Sequence, residues 1–159
     1  MTDFGALLSV LVDGGVEFII VGGLAATVHG SSRLTDDVDV VYHRTADNVT
    51  RLVEALRPLS PYLRGAPPGL PFDWSVATLN HGLNFTLTTS SGPLDILGEI
   101  VGGGRYEDLL PSTVEITLFG RRVRCLDLRA LIAAKRAAGR PKDLETLAEL
   151  EAIDEESGR

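Results

Sequence analysis

Residues 17–42 read EFIIVGGLAATVHGSSRLTDDVDVVY, and the reading of this stretch decides the fold. Its opening, EFIIVGG, is a β-branched apolar run closed by two glycines, which is the pattern of a buried strand. LAATVHG then reads as a short helix that starts near Leu24 and is ended by Gly30. Asp37 to Tyr42 reads as a second strand. Side chains alternate along a strand, so Val38 and Val40 point together into one layer. Asp37 and Asp39 then share the opposite side, with Cα atoms roughly 6.5–7 Å apart at about 3.3 Å rise per residue.

Outward from this stretch, residues 4–13 (FGALLSVLVD) carry apolar side chains at helical spacing and stop at Gly14-Gly15. ADNVTRLVEALR reads as a second long helix, stopped by Pro58. Residues 58–73 hold five prolines and two glycines, the composition of a long loop. NFTLTTSSGPLDILGEI reads as two strands joined at Ser90-Ser91-Gly92-Pro93, and TVEITLFGRRVRCL as a hairpin turning near Phe119-Gly120-Arg121. Two helices close the chain, Leu128 to Ala138 and Pro141 to about Ile153, with Pro141 suited to a first turn. His29, at the end of the short helix, reads as structural, and His43 and His81 have no evident partner. The expected fold class is α/β (α+β), a mixed β-sheet flanked by helices. With no internal repeat or linker, the expectation is one domain over residues 1–159, with the C-terminal helices (128–156) packed on it.

The 159 residues are 44% hydrophobic and only 6% aromatic, so the core must rest on Leu, Val, Ile and Ala. The single cysteine, Cys125, excludes an intrachain disulfide and a Cys-cluster zinc site. No apolar run has the length to cross a bilayer, and Met1-Thr2-Asp3-Phe4 lacks the basic start of a signal peptide, so a cytoplasmic protein without a membrane partner is expected. The net charge of −7 argues against a surface that coats nucleic acid generally. Its distribution is uneven. Arg121, Arg122, Arg124, Arg129, Lys135, Arg136, Arg140 and Lys142 are opposed within their own segment only by Asp127, and an acidic stretch follows from Asp143. Such a pairing describes a solvated helix pair of complementary charge as well as it describes an anion-binding face.

Asp37 and Asp39 on one strand side can share divalent cations; without metal, two such charges repel and one pKa rises. An edge strand with a wet face has the same spelling. Gly22-Gly23 allows backbone N–H groups to approach a phosphate, or it is an ordinary strand-to-helix turn. Arg33 and Thr35 lie on the loop between that corner and the carboxylates, where a guanidinium can meet a triphosphate. Asp95, in Pro93-Leu94-Asp95-Ile96-Leu97, is an isolated charge in an apolar strand. Lys135 continues the apolar stripe of Leu128, Leu131 and Ile132, so it must either snorkel or meet an anion, a phosphate or one of the three carboxylates. Asp143, two residues after Pro141, suits the N-terminus of the last helix.

Together, VGGLAATVHGSSRLTDDVDVVY resembles the signature of the polymerase-β-like nucleotidyltransferase superfamily: a Gly-Gly or Gly-Ser turn, a short helix, then a hydrophobic-Asp-hydrophobic-Asp strand. With Gly22-Gly23, His29-Gly30, Arg33, Thr35, Asp37 and Asp39, it is most similar to AbiEii/AbiGii-type nucleotidyltransferase toxins. Asp95 and Lys135…Arg140-x-Lys142-Asp143 continue the resemblance. It implies that Asp37, Asp39 and Asp95 are catalytic and bind two Mg²⁺ ions around an NTP such as ATP. It also implies that Gly22 and Gly23 contact phosphates, that Arg33 and Lys135 neutralise charge, and that Asp95 helps take the acceptor's proton. The family's usual serine is glycine at position 23, with Ser31 and Ser32 nearby. The implied activity is transfer of NMP from an NTP to an acceptor hydroxyl, with an RNA acceptor such as a tRNA 3′ end and an antitoxin protein as partner. The basic segment fits that acceptor. Acidic net charge fits a cationic small molecule of the antibiotic type instead, and the remaining expectation is an inactive binding or antitoxin module.

Overall fold

The structure is a computed structural model and describes residues 2–158. Met1, which opens the segment read above for a leader, and Arg159 lie outside the described residues. Among the described residues nine strands form: β1 (Phe18–Val21), β2 (Val38–Tyr42), β3 (Tyr62–Leu63), β4 (Asn84–Thr89), β5 (Gly92–Leu97), β6 (Glu99–Ile100), β7 (Gly104–Arg105), β8 (Thr113–Leu118) and β9 (Arg121–Leu126). The helices are α1 (Phe4–Asp13), α2 (Gly22–Val28), α3 (Ala46–Leu56), α4 (Val76–Asn80), α5 (Tyr106–Leu109), α6 (Leu128–Ala138) and α7 (Pro141–Ser157). Seven strands make one mixed sheet in the order β3-β4-β5-β2-β1-β9-β8, and β6 pairs with β7 alone. Pairing is antiparallel except for β2 with β5 and β1 with β9. The α/β class with a mixed sheet and flanking helices, expected from the sequence, is what is found.

The sequence explains the placement of the centre. All four residues of β1 are buried, as a strand covered on both faces requires. In β2, Val38 and Val40 are fully buried while Asp39 between them is partly exposed, so the alternation sends the acid to its own side. Leu7, Leu8 and Leu11 of α1 join Leu52, Val53 and Leu56 of α3 in one core with these strands. Thr45 caps α3 by accepting from the Asn48 N–H. Asn48, fully buried, donates through Nδ2 to the carbonyls of Glu17 (3.0 Å) and His43 (2.7 Å) and accepts from the Glu17 N–H (2.7 Å), tying α3 to the ends of β1 and β2. Among the described residues no helix is long and apolar enough to cross a membrane.

Several expected boundaries move. The short helix begins at Gly22 rather than Leu24, because both glycines form its first turn and Val21 serves as its N-cap. Asp37 precedes β2 instead of opening it. The joint between β4 and β5 is Ser90-Ser91 alone. Pro93 lies within β5, but before the stretch paired with β2, so its missing N–H interrupts no β2–β5 bond. The proline-rich segment contains β3, an edge strand of two residues, and is pinned where the Tyr62 hydroxyl donates to the Pro67 carbonyl (2.7 Å). The last helix runs four residues beyond Ile153. His43 has partners after all: it stacks on Tyr106 (4.5 Å between rings) and lies 3.3 Å from Glu17 and 3.6 Å from Glu107.

Candidate active site

Parallel pairing of β2 with β5 sets Asp39 directly beside Asp95, with Val38 beside Leu94 and Val40 beside Ile96. Aligned residues on neighbouring strands share a face, so the four apolar neighbours of the acids point into the core and the two carboxylates emerge together on the other side. Asp37 joins them from the end of the preceding loop. Burial, then repulsion from Asp95 and a carboxyl hydrogen bond to it, then the charge of Asp37, push the Asp39 pKa up to about 7, with Lys135 opposing. This is the rise that clustered acids produce without a metal.

Gly22 makes the approach possible. Its φ is +68°, and a Cβ built there would lie 2.1 Å from Asp39 Oδ2, while one on Gly23 would lie 2.7 Å from Thr35 Oγ1. The glycine corner is therefore shaped first by the carboxylate and the threonine that pack on it. Gly22→Ala is expected to lower stability by roughly 2–4 kcal/mol, a left-handed backbone cost plus the collision with Asp39. Gly65→Ala is the control, since φ there is +82° with open space around it, and should cost only about 1–2 kcal/mol. Thermal unfolding of both variants separates the two contributions, and equal losses would refute the close-packing reading.

Gly22, Asp39 and Lys135 line one cleft of about 420 Å³, together with Asn84, Arg140 and Asp143 and an apolar wall. Lys135 does meet an anion, but the contact is with a fourth acid: Nζ lies 3.3 Å from Asp143 Oδ1. Asp143 is fully buried and also accepts from the Arg140 side chain and from its backbone N–H (3.3 Å), so it closes the start of α7 as expected and bridges two cations as well. Burial would raise its pKa, but the bonds from Arg140 and Lys135 outweigh that and hold it below the ordinary value.

Arg33 is placed elsewhere. It pairs with Glu145 of α7 at 3.0 Å, with its side chain half exposed, and is not among the cleft's lining residues. Ser31 and Ser32 are likewise committed, donating to Glu149 at 2.6 and 2.8 Å, and those bonds, Ser31's first, pull the Glu149 pKa down to about 2. His29 is structural, 2.7 Å from the Leu126 carbonyl. Arg64, by contrast, was invisible as a site residue. It follows β3 and brings its guanidinium to 2.8 Å from Asp95 Oδ1 and 3.9 Å from Asp37 Oδ2. Nothing in the run Tyr62-Leu63-Arg64-Gly65 distinguishes it from a surface arginine. Among the described residues no group of three His, Cys, Asp or Glu side chains is arranged so that it could hold a metal ion as it stands, and Arg64 lies against two of the acidic trio.

No protein-family model matches the chain, and no curated protein matches it in sequence. Solved structures do. The lincosamide antibiotic adenylyltransferase LnuA, bound to lincomycin, superposes with a TM-score of 0.62 at 15% identity over 96% of this chain and 98% of its own. The chain has the nucleotidyltransferase fold. ANT(2″)-Ia in complex with adenylyl-2″-tobramycin matches with a TM-score of 0.54 at 16% identity, over 93% of this chain and 90% of its own. An antigenic nucleotidyltransferase-like protein from Paracoccidioides brasiliensis matches at 0.51 and 20% identity, over 92% of this chain and 72% of its own. At these identities the likeness is one of fold, and what those proteins bind is a property of theirs.

Proposed function

We propose that this chain is a metal-dependent nucleotidyltransferase that transfers NMP from an NTP to an acceptor hydroxyl. The observation that carries the reading is the Asp39–Asp95 register, with Asp37 beside it and Gly22 beneath. The donor set fits divalent cations: three carboxylates crowd together, one with its pKa raised to about 7, and Asp95 Oδ1 is buried without a hydrogen-bond partner despite its short contact to Arg64. Asp37, Asp39 and Asp95 would hold two Mg²⁺ ions, which supply activation of the acceptor hydroxyl and charge stabilisation of the departing pyrophosphate. The acceptor oxygen forms a bond to the α-phosphorus, the bond to the β-phosphate bridging oxygen breaks, and the acceptor's proton passes to Asp95. Lys135 neutralises phosphate charge from the cleft wall, the N–H groups of Gly22 and Gly23 face phosphate oxygens, and Arg33 serves an incoming triphosphate only after leaving Glu145.

For the acceptor, the family resemblance favours an RNA 3′ end, in a toxin held in check by an antitoxin protein. A second reading, a cationic small molecule, is favoured by what became of the basic segment. Arg121 is paired with Asp13, Arg122 with Glu115, Arg136 with Glu151, and Lys135 and Arg140 with Asp143, which leaves little unopposed charge for a phosphate backbone. The cleft volume also lies in the small-ligand range. Incubation with each labelled NTP, Mg²⁺ and either total tRNA or an aminoglycoside and lincosamide panel is expected to label one acceptor class. Absence of both transfer and Mg²⁺-dependent NTP binding would establish the inactive module instead.

A further inference from the structure

Among the described residues, Arg64 is the cation paired with two members of the trio, Asp95 and Asp37, and its bonding is unbalanced. The backbone N–H of Arg64 donates to the Thr86 carbonyl (3.0 Å), which extends the β3–β4 edge by one residue and aims the side chain across β4 toward β5. Nη2 donates to the Leu87 carbonyl (2.6 Å) and lies 2.8 Å from Asp95 Oδ1, yet the approach to the carboxylate is too oblique to be a hydrogen bond. Arg64 Nε and Asp95 Oδ1 are each buried with no hydrogen-bond partner. A structural Arg–carboxylate pair is normally bidentate and satisfies both groups. Here the guanidinium supplies charge without matched bonds.

We infer that Arg64 is the resident counter-ion of the acidic site: it holds Asp37 and Asp95 together in the metal-free protein and is exchanged for a divalent cation when one binds. The inference rests on the reading of the trio as metal ligands. Three carboxylates on adjacent backbone segments repel one another, and a monovalent cation among them relieves that repulsion while occupying the space a metal needs. Exchange improves both orphaned atoms, because Asp95 Oδ1 gains a ligand and Arg64 Nε gains water. The chain around Arg64 permits the movement. Gly65 follows it with nothing within 4 Å of where a Cβ would stand, and residues 67–71 are exposed. Arg64 is thus a positioning residue of the metal-free site and a competitor for its metal.

Mn²⁺ alone, titrated into the full chain and followed by the electron paramagnetic resonance signal of the free ion, tests this without any assay of transfer. Arg64→Met keeps the apolar stem and removes the charge, and Arg64→Lys keeps a charge without the planar fork. Arg64→Met is expected to bind Mn²⁺ about tenfold more tightly than wild type while its metal-free form melts at a lower temperature, and Arg64→Lys should stay within about threefold of wild type. A merely structural arginine would lower the melting temperature without tightening Mn²⁺. If wild type binds Mn²⁺ and Arg64→Met binds it equally or more weakly, the counter-ion role is overturned and the metal reading stands. If no form binds Mn²⁺, the metal reading falls and takes this inference with it.

Discussion

Asp39→Asn is expected to reduce nucleotidyl transfer by at least about 10³-fold while making the metal-free protein more stable at pH 8. The first effect follows if Asp39 anchors charge that is worth several kcal/mol in the transition state, since about 4 kcal/mol corresponds to that factor. The second follows from the environment of the carboxyl. Its native pKa stands at about 7 against an ordinary 3.8, with burial as the largest cause and Asp95 next. Between those values the native state holds a proton that the unfolded chain has released. Stability therefore falls as pH rises from about 4 to 7, and the loss is complete above that window. Full linkage over three units would be about 4 kcal/mol. Partial exposure and sharing of the proton with Asp95 reduce this to about 2 kcal/mol, or roughly 4–8 °C in melting temperature for a chain of this size. An asparagine has nothing to ionise, so its profile across the window should be flatter. Melting curves at pH 4, 6 and 8 with chelator present check the sign, and transfer assays check the chemistry. A variant that keeps wild-type activity, or a wild type whose stability climbs from pH 4 to 7, contradicts the site as described.

That the carboxyl of Asp39 feels Asp95 at all depends on a pairing no local pattern could reveal. The two acids lie more than fifty positions apart in the sequence, and the alignment of their strands is parallel, so one residue of slip would have sent Asp95 into the core. What was legible was local: Val38 and Val40 alternate with Asp39, and Leu94 and Ile96 flank Asp95, so each acid's side of its own strand could be read. The fold class followed from the same short-range periodicities. Gly22 was misread as preceding its helix because glycine normally breaks one, whereas here its missing side chain admits Asp39 and the helix starts on it. Arg33 and Arg64 show the opposite limit. Each is a lone arginine beside a loop, with no periodicity to say where its side chain goes. Sequence proximity to Asp37 favoured Arg33, yet the return of α7 claims it for Glu145 and the edge pairing of β3 delivers Arg64 instead. The elements that went unread, β3, α4, α5 and β7, have two to five residues each, too few for any period to register, and β6 was read as the end of β5.

The hub formed by Asp143 has no precedent in those local patterns either, and its removal should be strongly destabilising. Asp143→Ala is expected to cost about 2–3 kcal/mol, lowering the melting temperature by roughly 5–10 °C at pH 7. The carboxylate is fully buried, whereas Lys135 keeps 15% and Arg140 58% of side-chain exposure, so water compensates Arg140 far better than Lys135. Most of the loss should therefore come from Lys135, left on an inward-facing stripe beside Leu131 without its anion, and a smaller part from the first turn of α7, which loses an acid near its positive end. The apportioning is testable by a double-mutant cycle. If Lys135 carries the damage, Lys135→Met in the Asp143→Ala background should restore about 1–2 kcal/mol, because the stranded charge is gone and the apolar stem remains. Strict additivity of the two substitutions would mean that the pair is not coupled and that Asp143 acts only on its own helix. The pH dependence gives an independent sign. The native pKa of Asp143 is depressed, so its contribution is fully present above the unfolded value of 3.8 and disappears as pH falls through the lower native value. Wild type and Asp143→Ala should accordingly differ most at neutral pH and converge in strong acid, opposite in sense to the trend that Asp39 imposes between pH 4 and 7. Two acids on the same cleft wall are thus driven apart in pKa by their neighbours: Asp143 stays ionised by holding two cations, and Asp39, buried beside Asp95, keeps its proton up to about pH 7.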